Sequence, residues 1–131
     1  MRKVILHIVF LCVLLISCKE EGQYASIPEK KIPELVDYNF DVRPILSDKC
    51  FNCHGPDAKH REAGLRLDQQ ESAVRSGAIT PGEIDESELI RRINSDDPDD
   101  VMPPPQFNKN LSAAQKQTLR RWVKQGAEYQ T

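Results

Sequence analysis

Cys50, Cys53 and His54 have types and a spacing that can hold a cofactor. They form the pattern C-x-x-C-H, which is the signature of covalent c-type haem attachment. The two thiols can add across the vinyl groups of haem to form thioethers, and the adjacent histidine can bind the iron as its proximal ligand. The pattern therefore predicts one covalent haem c, with Cys50 and Cys53 as attachment sites and His54 as an iron ligand.

Two other interpretations of the cysteine pair fit the sequence less well. A disulfide or a thioredoxin-like redox pair would follow a strand within a β-α-β pattern, and no such pattern precedes Cys50. A structural zinc site needs four ligands. The chain has too few further cysteines downstream of its N-terminal segment to supply a second pair.

The second axial position of a haem iron is usually filled by methionine or histidine. Outside the N-terminal segment the chain offers Met102 and, besides His54, only His60. Met102 is followed by three prolines, which fix φ and stiffen the loop, so its sulfur can be held over the ring at little entropic cost. His60 lies so close to His54 that its loop would have to pass around the haem edge. The residues favour Met102 and leave His60 or an open iron position as alternatives.

The N-terminus has the features of an export signal. Arg2 and Lys3 precede an apolar run over residues 4–16, which suits a signal peptide and is shorter than the roughly 20 residues of a spanning helix. The run ends in LISC, which resembles a bacterial lipobox whose cysteine, here Cys18, becomes the lipidated first residue. Two or more acyl chains make a stable anchor. We therefore expect a signal peptide at 1–17 and a membrane-anchored lipoprotein facing the periplasm or cell surface; an ordinary signal peptide is the alternative.

Residues 18–37 are predicted to form a flexible linker, because they are charged and broken by Pro28 and Pro33. The folded domain is expected over 38–131 as one unit. It has few large apolar residues, so a buried haem would supplement a marginal core.

Apolar periodicity and capping residues predict an all-α domain. The first helix is expected over 40–49 with Asn39 as a possible cap, and the last opens at Ser112 and Gln115 and closes at Gly126. Between them, Asp68 with Glu71 and Asp85 with Glu88 are read as capping pairs of two short helices. No strand longer than residues 65–67 is suggested.

Several motifs together resemble those of the planctomycete-type cytochrome c domain. In chain order they are NFDVRPIL (39–46), CFNCHG (50–55), GLRLD (64–68), PG (81–82), SELIRRI (87–93), MPP (102–104) and LRRWVKQGA (119–127). The resemblance implies a compact helical cytochrome c fold whose first and last helices pack together beside the haem. It also implies thioethers at Cys50 and Cys53 and axial ligation by His54 and Met102.

The sequence thus favours a monohaem, one-electron carrier outside the cytoplasm that is not an enzyme. Its partners would be unidentified redox proteins and, through the lipid, a membrane; a formal net charge of −2 argues against nucleic acid, which selects a basic face. The alternatives are a haem enzyme or sensor with an open distal site and a docking module with a structural haem. Ligation by Met102 discriminates, because it would exclude small ligands. Arg66 is a candidate partner of a haem propionate, with a plain surface arginine as the alternative.

Overall fold

The computed structural model describes residues 31–130, and within this range the chain is helical with no β-strand. Its α-helices are α1 (Arg43–Lys49), α2 (Phe51–His54), α3 (Gln70–Arg75), α4 (Glu88–Ile93) and α5 (Ala113–Lys124). A π-helical turn, Tyr38–Val42, leads into α1, and a 3₁₀ turn, Pro105–Phe107, precedes α5. The predicted all-α class is confirmed for this part of the chain. The predicted signal peptide and Cys18 lie outside the described residues.

The first helical segment begins earlier than the sequence predicted. Its cap is Asp37 rather than Asn39, because the Asp37 carboxylate accepts a hydrogen bond from the Phe40 N–H at 2.9 Å. Pro44 falls in the first turn of α1, where its missing N–H is not needed by the helix. The proline therefore starts α1 rather than breaking it.

The last helix begins and ends where the sequence predicted. The Ser112 hydroxyl accepts from the Gln115 N–H at 3.2 Å, and the Gln115 side chain accepts from the Ser112 N–H at 2.9 Å, which completes a capping box. Gly126 follows the helix with φ +104°, a conformation that glycine adopts without steric cost. The cap and the glycine together delimit α5.

The two predicted capping pairs of the middle helices are wrong. Neither Gln69, which caps α3, nor Ser87, which caps α4, makes a side-chain capping bond. Asp68 is instead engaged by Arg66, whose Nε donates to it at 3.1 Å. Ser87 is fully buried and its hydroxyl donates to the Glu83 carbonyl at 2.7 Å. Other nearby partners therefore hold Asp68 and Ser87, and neither side chain caps a helix.

The core lies between the π-helical turn, α1, α4 and α5. Val42, Leu46, Leu119 and Val123 are completely buried, and the π-helical turn and α4 both pack against α5. The start of the first helical segment therefore meets the last helix, as the resemblance implied. Among the described residues no helix is long and apolar enough to cross a membrane.

The segment just before the π-helical turn is tied to α5, although the sequence assigned it to the linker. Arg121 donates to the Pro33 carbonyl at 2.6 Å. Gln125 donates to the Glu34 carbonyl at 2.6 Å and accepts from the Val36 N–H at 3.1 Å. Arg121 of α5 and Gln125, the residue that follows α5, thus fix the backbone of residues 33–36 to the domain.

Candidate haem-binding site

The C-x-x-C-H residues are placed by one turn of helix. The Cys50 N–H donates to Leu46 at 2.8 Å, and the His54 N–H donates back to the Cys50 carbonyl at 2.8 Å, so the motif continues the helical path of α1 into α2. Residues three apart on a helix are neighbours. Both cysteines are free thiols, Cys50 buried and Cys53 half-buried. The turn brings the two thiols and the imidazole together on one short element.

A cavity of about 1160 Å³ opens beside this turn. Cofactor and ligand sites span about 300–1,000 Å³, so the space is large enough for a porphyrin plate. Cys50, Cys53, His54 and Met102 all line it. Its apolar wall includes Phe51, Leu65, Leu67, Ala78, Leu89, Ile93, Pro103 and Pro104. The cavity therefore joins the four predicted haem residues with a surface suited to an apolar ring.

His54 is held as a neutral imidazole. Burial lowers its pKa, and the main chain of Glu62 opposes this shift only in part. Its Nδ1 is buried and has no hydrogen-bond partner among the described residues. A buried, unpaired ring nitrogen is costly in an unliganded core, and neutral imidazole is the form that binds metals. His54 thus fits an iron ligand better than a core residue.

The Cys50 thiol is unsuited to redox exchange. Burial, reinforced by the Asp48 carboxylate, raises its pKa to about 12. The reactive form of cysteine is the thiolate, and redox-active pairs depend on a lowered pKa. The thioredoxin-like interpretation therefore does not fit. Residues 31–130 bring no three His, Cys, Asp or Glu side chains together as possible metal ligands.

Gly55 closes the motif for a steric reason that the sequence analysis did not identify. Its backbone is extended, with φ −128°, so no special conformation requires glycine. A Cβ at this position would instead lie 2.3 Å from the Phe51 carbonyl oxygen. Arg61, also missed, then fixes the loop by donating to the Gly55 and Pro56 carbonyls at 3.1 and 2.9 Å. The signal for Gly55 was its place directly after the histidine.

The candidates for the second axial position lie in different places. Met102 is half-buried in the cavity wall, and its N–H donates to the Arg92 carbonyl at 3.1 Å. His60 is exposed, does not line the cavity, and has its Nδ1 2.8 Å from an Asp57 carboxylate oxygen. Arg66 is also outside the lining and is engaged by Asp68. Met102 alone of these shares the cavity with His54.

The described residues form a helical domain in which a C-x-x-C-H turn opens onto a large apolar cavity. These features together define a c-type cytochrome domain. Residues 50–106 match the family model described as planctomycete cytochrome C, which supports a planctomycete-type cytochrome c domain over this part of the chain. The matched segment runs from Cys50 past Met102 and includes every cavity residue named above. Comparison with curated proteins and with solved structures gave no match.

Proposed function

We propose that this chain is a monohaem cytochrome that carries single electrons, with His54 and Met102 as the axial ligands of the iron. The observation that carries the proposal is the common cavity, which is lined by Cys50, Cys53, His54 and Met102. Haem c, when bound, supplies a one-electron couple between ferric and ferrous iron. The thiols of Cys50 and Cys53 would attach the ring, and the neutral imidazole of His54 and the thioether of Met102 would hold its iron.

Ligation from both sides suits a carrier better than a haem enzyme or sensor. An enzyme or sensor needs an open distal position, whereas a bound Met102 sulfur would close it. Thioether ligation raises the potential of the iron. The apolar wall, with Leu89 and Ile93 buried in α4, lowers the local polarity and so disfavours the extra charge of the ferric form.

A carrier also needs an edge that a partner protein can approach. Phe107 lines the cavity and is 52% exposed, and Asn52 beside the cysteine turn is also exposed. A ring attached at Cys53, which is itself only half-buried, would then have one edge near the surface. This arrangement supports exchange with redox proteins, and the proposal includes no nucleic acid among the partners.

The decisive experiment compares carbon monoxide binding to reduced holoprotein in four forms. The unmutated protein and its His60→Ala control should bind it slowly, because the sulfur blocks the iron. Met102→Ala should bind it rapidly, and Met102→His should stay six-coordinate with a lower potential, since imidazole favours ferric iron more than a thioether does. Rapid binding in the unmutated form, unchanged in Met102→Ala, would instead favour a sensor or enzyme.

The proposal places the protein outside the cytoplasm, anchored through Cys18. The support is the haem motif, because haem of this type is attached after export, together with the apolar run and LISC tetrapeptide of the N-terminus. Metabolic labelling with a fatty acid should tag the unmutated protein and miss Cys18→Ala. An unlabelled mature form that begins at another residue would contradict the anchor and leave the electron-carrier proposal intact.

A further inference from the structure

Helix α4 and the loop that carries Met102 are joined by three charged side chains, Glu88, Arg91 and Asp100, here called the Arg91 clamp. Arg91 is bidentate to Glu88, with its Nε and Nη2 at 2.7 and 2.6 Å from the two carboxylate oxygens. It is also bidentate to Asp100, with Nη1 and Nη2 at 2.6 and 2.9 Å. Asp100 stands two positions before Met102, so one guanidinium group fixes the approach to the sulfur.

The backbone around the clamp leaves the loop little freedom. The Met102 N–H donates to the Arg92 carbonyl at 3.1 Å, and the Val101 N–H donates to the Asp97 carbonyl at 2.8 Å. Arg92 also donates to the Asp100 carbonyl at 3.3 Å. The loop therefore turns back onto the last turn of α4, and its position is defined relative to that helix.

Helix α4 is in turn part of the cavity. Leu89 and Ile93 are buried and line it, and Ile90 is buried beside them. A side chain tied to α4 is thus tied to the wall of the haem site. The clamp connects that wall to the loop that carries Met102.

Stability alone is a weak reason for such a cluster. The Arg91 side chain is 51% exposed, and isolated exposed ion pairs contribute about 0–1 kcal/mol. Bidentate geometry adds directional specificity that a single contact lacks. The geometry therefore suits a role in positioning the loop better than a role in stabilising the fold.

We propose that Arg91 is a positioning residue that, through Asp100, holds the Met102 sulfur at the haem iron. The inference rests on the proposed function, in which Met102 is the distal ligand. Without Arg91 the ligand loop should detach from α4 more often, and each detachment should open the iron to an added ligand.

The test measures cyanide binding to the ferric holoprotein, together with the sulfur-to-iron charge-transfer band and the midpoint potential. Arg91→Ala should bind cyanide about tenfold faster, a change in the range expected for loss of a charged hydrogen bond, and should weaken the band and lower the potential. The cyanide-binding rate of Arg91→Lys should lie between those of the unmutated protein and Arg91→Ala, since lysine keeps the charge but not the bidentate fork. Arg75→Ala is the matched control, because Arg75 pairs with Glu71 at 3.0 Å on an exposed helix face outside the cavity lining. It should leave all three readouts unchanged.

Thermal unfolding of each variant separates positioning from stability. A purely structural role would lower the unfolding temperature of Arg91→Ala and leave cyanide binding at low temperature equal to that of Arg75→Ala, which would overturn the inference. If Arg91→Ala does not mature, Asp100→Asn, which keeps the side-chain size, is measured in its place against the same control. If Met102→Ala itself leaves cyanide binding unchanged, the proposed ligation fails and the clamp inference fails with it. If Met102→Ala changes cyanide binding but Arg91→Ala and Asp100→Asn do not, the clamp inference alone fails.

Discussion

Adding one methyl group at Gly55 should reduce haem attachment, whereas the same change at a sterically unhindered glycine should not. A Cβ there would lie 2.3 Å from the Phe51 carbonyl oxygen and 2.9 Å from the Phe51 Cα, and real Cβ contacts essentially never fall below 3.0 Å. Both obstacles are backbone atoms, so no side-chain rotation can relieve them. Relief requires a shift of α2, which carries Cys53 and His54 of the haem motif.

The magnitude follows from overpacking against a rigid neighbour, which costs about 1–3 kcal/mol. The loss of chain entropy in the unfolded state returns about 0.4–1 kcal/mol. We therefore expect Gly55→Ala to lose about 1–2 kcal/mol of unfolding free energy, which lowers the melting temperature of a domain of this size by about 4–8 °C per kcal/mol. The fraction of chains with covalent haem should also fall, since the thiols move.

The control is Gly64→Ala, at a position with φ +65° and no atom within 4 Å of the added Cβ. It carries backbone strain of about 1–2 kcal/mol but leaves α2 where it is, so the haem content should stay normal. The assay combines thermal unfolding of the holoprotein with haem per polypeptide after purification. Equal haem content in Gly55→Ala and the unmutated protein would refute the steric argument, whatever the melting temperatures.

Two further predictions concern attachment and pH. Cys50→Ala combined with Cys53→Ala should abolish covalent haem, so that acid–acetone extracts any haem that remains; extraction from the unmutated protein would contradict the thioethers. Hydrogen bonds from Arg91 first, then from a neighbouring arginine, lower the pKa of Glu88 to about 2. The ionised Glu88 carboxylate therefore makes its whole contribution to the free energy of unfolding above its ordinary pKa. This contribution is lost as pH falls from about 4.5 towards 2. Acid titrations of unfolding should show that loss, and Arg91→Ala should reduce it; identical curves would contradict the assignment.

Chemistry that is local in the chain could be predicted from the sequence. The spacing of Cys50, Cys53 and His54 predicts haem attachment whatever the fold, and the family match supports it. The capping box of Ser112 and Gln115 was also predictable, because both of its bonds lie within one turn.

Features set by distant or competing partners could not be predicted. Asp68 has the right type and spacing for a cap, but Arg66 competes for its carboxylate. The steric demand at Gly55 depends on where the carbonyl four residues earlier points. The bond between Arg91 and Asp100 crosses a loop and follows no helical spacing. The proposed roles of Met102 and Cys18 remain predictions for the experiments above.

The aromatic residues of the core have an optical consequence. Trp122 is the chain's single tryptophan, is 2% exposed, and has its ring centroid 5.8 Å from that of Tyr38 and 5.2 Å from that of Tyr129. Tyrosine emission should therefore pass to one indole, which belongs to the same packed cluster as Cys50. A haem on Cys50 absorbs at the wavelengths where indole emits. The tryptophan fluorescence of the holoprotein should therefore be quenched, and that of the haem-free chain should be strong. The emission of Trp122 should therefore report haem attachment in the purified protein without a label.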